Sequence, residues 1–126
     1  MASSILIIDD EPNQRFMLEQ ALRTLDGNLR IATAATGEEA LELAALDQPD
    51  LIITDYNMPV MNGLNLISEL RRRGIGSRIF LITAYSSADL YEAAQQLHVD
   101  QYLTKPVPLT LLRRLTSAAL GSTSIK

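Results

Sequence analysis

Three short apolar runs in this chain each end in a reactive side chain. Ile5-Leu6-Ile7-Ile8 leads into Asp9-Asp10-Glu11, Leu51-Ile52-Ile53-Thr54 into Asp55, and Ile79-Phe80-Leu81-Ile82 into Thr83. A fourth, more polar run, Gln101-Tyr102-Leu103-Thr104, delivers Lys105-Pro106. Such runs read as strands, and apolar residues recur between them at helical spacing. Asn13 to Leu25 puts Leu18, Ala21, Leu22 and Leu25 on one helical face and stops at Asp26-Gly27-Asn28. Leu29 to Ala34 follows as a strand. Thr36 to Glu39 has the capping-box pattern and opens a helix that buries Ala40, Leu41 and Ala44 and exits before Pro49. A third helix buries Leu66, Ile67 and Leu70 and ends at Gly74-Ile75-Gly76. A fourth, capped by Ser86 or Ser87, carries Leu90, Tyr91, Ala94 and Leu97. The last follows Pro108 with Leu111, Leu112, Leu115 and Ala119.

Five strands alternating with five helices predict an α/β domain built on a parallel sheet. Fully apolar strands are buried on both faces, whereas edge strands tolerate polar residues. The second strand holds Arg30 and Thr33, and the fifth lies among Asp100, Gln101 and Thr104, so these two belong at the edges. With right-handed crossovers the simplest order is 2-1-3-4-5, a flavodoxin-like doubly wound sheet. The chain then reverses between strands one and three, where ligands of open α/β sheets bind. Asp9, Asp10 and Asp55 are thereby expected side by side.

The chain of 126 residues fits one domain, expected over residues 1–120, with 121–126 as a tail or the start of a linker. It has no cysteine, which excludes disulfides and zinc–thiolate sites. Its N-terminus enters an apolar run too short for a signal peptide or membrane span, so the cytoplasm is the expected setting. A net charge of −4 opposes direct binding to nucleic acid or anionic membrane. Arg71-Arg72-Arg73, the densest basic run, falls where cations complement a helix C-terminus. His98, the one histidine, falls near the end of the fourth helix, away from the strand ends. Met58 and Met61 read as loop or packing residues.

Three carboxylates held together repel one another unless a cation joins them. An all-oxygen donor set favours Mg²⁺, or Mn²⁺, over softer metals, and Mg²⁺ completes its shell with water and phosphate oxygens. Taken alone, Asp9-Asp10-Glu11 would be no more than acidic residues at a helix N-terminus; that leaves Asp55 and Lys105 unexplained. Asp55 offers a nucleophile that needs no general base, Lys105 a point charge for a phosphoryl oxygen, and Thr83 a hydroxyl donor.

Asp9-Asp10, Asp55, Thr83 and Lys105-Pro106, with Asn57-Met58-Pro59 and Asn62-Gly63 between them, resemble the receiver domain of two-component response regulators. The likeness runs from Ser4 to about Leu120. It implies that Asp55 accepts a phosphoryl group from a phosphohistidine on a histidine kinase or phosphotransfer protein. It also implies direct Mg²⁺ ligation by Asp10 and Asp55, with Asp9 acting through water and the Asn57 backbone carbonyl as a further ligand. Thr83 and Lys105 would hold the phosphoryl oxygens, and the Lys105–Pro106 bond would be cis. Tyr102 matches the aromatic position that changes rotamer on activation. The face made by the fourth helix, fifth strand and fifth helix would carry the signal to a downstream effector domain or protein, or to a dimer partner. Such a domain catalyses its own phosphorylation and dephosphorylation but is a signalling domain rather than an enzyme. At variable positions, Tyr85 could shield the acyl phosphate from water and Asn57 could orient that water.

Three rivals share parts of this pattern. A haloacid-dehalogenase-type phosphohydrolase needs a second aspartate two residues after the nucleophile, where this chain has Asn57. A flavodoxin-like FMN module calls for a Ser/Thr/Gly-rich phosphate loop in place of Asp9-Asp10-Glu11. A degenerate receiver that acts only as a binding module would lack some of the key side chains, all of which are present.

Overall fold

The computed structural model describes residues 3–25 and 27–121. Its elements run β1 (Ser3–Ile8), α1 (Pro12–Arg23), β2 (Leu29–Ala34), α2 (Gly37–Leu46), β3 (Leu51–Asp55), α3 (Gly63–Arg72), β4 (Arg78–Thr83), α4 (Ala88–Gln96), β5 (Gln101–Thr104) and α5 (Leu109–Ala119). The five strands form one parallel sheet in the order β2-β1-β3-β4-β5. The polar strands β2 and β5 are its edges, as their composition predicts, and every residue of β3 is buried.

Strand side chains alternate between the two faces of the sheet, and the core divides accordingly. Ile5, Ile7, Leu51, Ile53, Phe80 and Ile82 pack with Leu22 of α1 and Leu112 of α5. Leu6, Ile8, Ile52, Ile79 and Leu81 pack against α2, α3 and α4 through Ala40, Leu41, Ala44, Leu66, Ile67, Leu70, Leu90 and Ala94. The register pairs Ile8 with Thr54 and Thr54 with Leu81. Asp9 and Asp55 therefore emerge together at the carboxyl edge.

Several boundaries differ from the sequence reading. Helix α1 stops at Arg23 with Thr24 as its C-cap, short of Leu25, although Leu25 still packs on the α1–α5 side of the core. Asp26 lies outside the described residues, as do Ser122 to Lys126, so the expected tail is described only at Gly121. Thr36 caps α2 by accepting the Glu39 N–H, but Glu39 reaches back to the Ala35 N–H rather than that of Thr36. Ser87, not Ser86, caps α4. Tyr91, grouped by its spacing with the buried face of α4, is instead 51% exposed. It sits where α4 meets the edge strand β5, and its ring meets Tyr102 edge-on with centroids 5.3 Å apart.

The predicted basic run turns out to have two jobs. Arg72 and Arg73 both pair with Glu69; the Arg72 hydrogen bond, with that from Arg73, pulls the Glu69 carboxyl down to about 2. Arg71 instead crosses to four backbone carbonyls, those of Ile75, Ser77, Leu97 and His98, each at 3.0 Å. It ties the end of α3 to the entrances of β4 and β5. His98 lies just past α4 with φ +60, away from the acidic edge. No helix among the described residues is long and apolar enough to cross a membrane.

Candidate phosphoacceptor site

The strand-end carboxylates converge as the sheet order requires. One carboxylate oxygen from each of Asp9, Asp10 and Asp55 lies within 4.8 Å of the others. Asp9 and Asp55 are buried while Asp10 is exposed. The three acids divide the labour at the start of α1. Glu11 is its N-cap and accepts the Asn13 N–H at 3.3 Å. Asp9 Oδ1 accepts the Glu11 N–H at 2.9 Å. No hydrogen bond engages the Asp10 carboxylate among the described residues. The helix-capping role thus falls to Glu11, and Asp10 keeps all its lone pairs for another ligand.

Burial pushes the Asp9 carboxyl above its ordinary value, and the charges of Asp55 and Asp10 add to the rise; the Glu11 N–H and the Lys105 ammonium oppose it. The cause is physical crowding of anions in a desolvated place. Three hard oxygen donors in this arrangement fit a divalent cation such as Mg²⁺.

Lys105 reaches the cluster from the far edge strand. Its Nζ is 2.9 Å from Asp55 Oδ1, and its N–H donates to the Thr83 carbonyl at 2.8 Å. The Lys105–Pro106 bond is cis. The fully buried Thr83 hydroxyl accepts the Tyr85 N–H at 2.9 Å, which leaves its own proton for another acceptor. A hollow of about 310 Å³ opens over these groups, lined among others by Asp9, Asp10, Asp55, Asn57, Tyr85 and Lys105. The Tyr85 side chain is 68% exposed at its rim.

Two backbone devices hold Asp55 in place. The Thr54 hydroxyl donates to the Asp55 carbonyl at 2.9 Å. Gly63 packs directly against the same residue: a Cβ there would stand 2.7 Å from the Asp55 carbonyl oxygen and 2.9 Å from Tyr56 Cα. Only glycine fits that approach. Asn62 and Asn65 cap α3 reciprocally at this point.

Tyr102 stands apart from the acidic cluster. Its Cα pairs with Leu81, two residues before Thr83, so Tyr102 lies along the sheet face that Leu81 and Thr83 share. It is partly buried, and its hydroxyl hydrogen-bonds to Ser86 Oγ at 2.9 Å. The sequence carried no signal for Ser86 beyond a choice of cap. A second hollow of about 460 Å³, mostly apolar, leads from Asp9, Asp55 and Lys105 along Gln14, Met17 and Leu18 of α1 toward Val107 and Leu109.

Residues 5–117 match the family model for the response regulator receiver domain. The chain is 35% identical over 120 residues to the nitrate/nitrite response regulator protein NarL of Escherichia coli K12, covering 94% of this chain and 56% of that one. It is 36% identical over 126 residues to the transcriptional regulatory protein PrrA of Mycobacterium tuberculosis, covering 94% and 53%. It thus spans about half the length of these curated relatives. Among solved structures, the Vibrio cholerae chemotaxis protein CheY4 superposes with a TM-score of 0.84 at 27% identity, over 95% of this chain and 100% of that one. The Francisella response regulator 1452 receiver domain shares the fold with a TM-score of 0.86 at 24% identity, over 97% and 99%. With the strand order, the acidic edge and these likenesses in agreement, the chain belongs to the response regulator receiver domain family.

Proposed function

We propose that this domain is the phosphoacceptor of a two-component phosphorelay, with Asp55 as the residue modified. The observation that carries the reading is the position of the Asp55 carboxylate, with Lys105 at 2.9 Å on one side and the Asp9–Asp10 pair on the other. A lone pair on the Asp55 carboxylate attacks phosphorus of a phosphohistidine. The P–N bond breaks, its electron pair returns to the imidazole nitrogen, and that nitrogen is protonated from solvent. An aspartyl phosphate results. Lys105 swings its ammonium from Asp55 Oδ1 onto a phosphoryl oxygen, and Thr83 donates a hydrogen bond to another through its hydroxyl.

Asp10 and Asp55 would hold Mg²⁺, or Mn²⁺, directly, with Asp9 through water and the Asn57 carbonyl completing the protein ligands. The bound ion would neutralise the carboxylates and the phosphoryl oxygens during transfer. The donor is a histidine kinase or phosphotransfer protein in the cytoplasm. The apolar hollow beside Met17 and Leu109 supports the docking of such a partner, because it opens onto Asp55 from the α1 side. The readout passes through Thr83 and Tyr102 to the face of α4, β5 and α5, and from there to an effector or a second copy. The receiver unit is residues 1–120.

Incubation with acetyl phosphate and Mg²⁺ tests the reading. Stoichiometric phosphorylation that disappears with EDTA is expected. A protein that stays unmodified under these conditions would be a binding module instead.

A further inference from the structure

Arg15 is a charged side chain whose partner is not a charge. Among the described residues no carboxylate pairs with it; its Nη1 donates to the backbone carbonyl of Asp9 at 2.6 Å. The bond is partly buried. Arg15 thus engages the acidic edge through the main chain.

The placement of that bond matters. The Asp9 N–H is fixed to the Ala34 carbonyl at 3.2 Å, and the Asp9 carboxylate is fixed to the Glu11 N–H at 2.9 Å. The Asp9 carbonyl is the remaining polar group of this residue, and it belongs to the peptide unit that leads into Asp10. Among the described residues no hydrogen bond holds the Asp10 carboxylate, so its direction depends on the backbone on either side. Repulsion among Asp9, Asp10 and Asp55 pushes that backbone outward when no cation is present. A hydrogen bond from a charged donor to a partly buried carbonyl resists the push, and losing it leaves the carbonyl unpaired.

We propose that Arg15 is a positioning residue for the metal site, a strap that holds the β1–α1 turn with its carboxylates already converged. The inference rests on the reading of Asp9, Asp10 and Asp55 as a Mg²⁺ site. It makes an unusual prediction of sign. Removing a cation near an anionic cluster should strengthen Mg²⁺ binding by simple electrostatics, whereas removing a strap should weaken it.

Calorimetric titration of the metal-free protein with MgCl₂ separates the two. Arg15→Met, which keeps the stem, is expected to raise the Mg²⁺ dissociation constant roughly tenfold, the scale typical of lost outer contacts in metal sites. Arg15→Lys retains a donor and stays close to wild type. At saturating Mg²⁺ the maximal rate of labelling by acetyl phosphate is unchanged in Arg15→Met, while the Mg²⁺ concentration for half-maximal rate rises. Amide exchange speeds up at Asp10 and Glu11 but not in α3. Should Arg15→Met fail to fold, Arg15→Gln, neutral and too short to reach the carbonyl, is expected to show the same loss.

Tighter or unaltered Mg²⁺ binding in these neutral variants would overturn the strap. So would a fall in maximal rate with no change in the Mg²⁺ requirement, which would place Arg15 at the reacting groups. A wild-type protein that binds no Mg²⁺ would overturn the proposed function itself.

Discussion

The Lys105 ammonium lies 2.9 Å from Asp55 Oδ1 although the strands that deliver the two residues are separated in the sheet by β4. The lysine spans β4 over the carbonyl of Thr83, to which its own N–H is bonded. In the resting protein it therefore occupies one oxygen of the proposed nucleophile, and it is a cation that competes with a metal for the same charge. Lys105→Met should bind Mg²⁺ more tightly than wild type in a calorimetric titration. It should also be labelled by acetyl phosphate about a hundredfold more slowly, because the proposed transition-state donor is gone. Unchanged labelling kinetics would deny Lys105 its role.

Asp9 and Asp10 should respond differently to substitution. The folded protein holds a proton on Asp9 more tightly than the unfolded chain does, because burial raises its carboxyl above 3.8. Acid therefore favours the fold at this residue, and stability falls as pH rises through the raised folded value. In metal-free protein, Asp9→Asn should have a higher melting temperature than wild type at neutral pH, with the difference shrinking toward about pH 4. Mg²⁺ should narrow the same gap by neutralising the cluster. Asp10→Asn, which removes the proposed direct ligand, should weaken Mg²⁺ binding more than Asp9→Asn does. A neutral-pH melting temperature that is lower in Asp9→Asn would contradict the desolvation argument.

Arg71 illustrates stability placed far from the chemistry. One guanidinium serves four carbonyls around the entrances to β4 and β5. Truncation leaves those acceptors short of a charged donor, and Arg71→Met should cost about 2–4 kcal/mol in urea denaturation. Acetyl phosphate labelling of the folded variant should be unaffected. A cost below about 0.5 kcal/mol, the level of an ordinary surface change, would show that water replaces the bonds.

The proposed coupling of Thr83 to Tyr102 is testable because both lie along one sheet face. In this structure Tyr102 is held by Ser86 and by the edge of Tyr91. Phosphorylation should draw the Thr83 hydroxyl toward the phosphoryl oxygens and release Tyr102 inward; the two states must lie within a few kcal/mol for this to occur. Thr83→Ala should accept the phosphoryl group yet show no change in Tyr102 NMR shifts on addition of beryllofluoride. Identical responses in wild type and variant would refute the coupling.

Much of this arrangement was legible in the sequence because it depends on strand composition and strand ends. Arg30 and Gln101 marked the edge strands, and the apolar Leu51 to Ile53 marked the centre; the order that follows brings Asp9 to Asp55. Some of what the sequence does not show depends on contacts that cross the fold. Nothing local distinguishes Arg71 from Arg72 and Arg73, because its partners Leu97 and His98 arrive only when α4 packs. Asn62 with Asn65 caps α3 without the Glu or Gln usual three residues on, so no standard capping pattern points to it. Tyr91 has the spacing of a core residue but sits where the helix overhangs an edge strand, so helical period misjudged its exposure. Arg15 carries no signal in the sequence because its partner is a backbone carbonyl, to which no side-chain pattern points.

The central claim is that Asp55 alone receives the phosphoryl group, and chemical trapping reads it directly. Borohydride reduces an aspartyl phosphate to homoserine, so peptide mapping after reaction with acetyl phosphate and Mg²⁺ locates the modified residue. Homoserine at position 55, absent with EDTA and absent from Asp55→Asn, is the predicted result. Homoserine at Asp9 or Asp10, or a comparable yield elsewhere in Asp55→Asn, would contradict it.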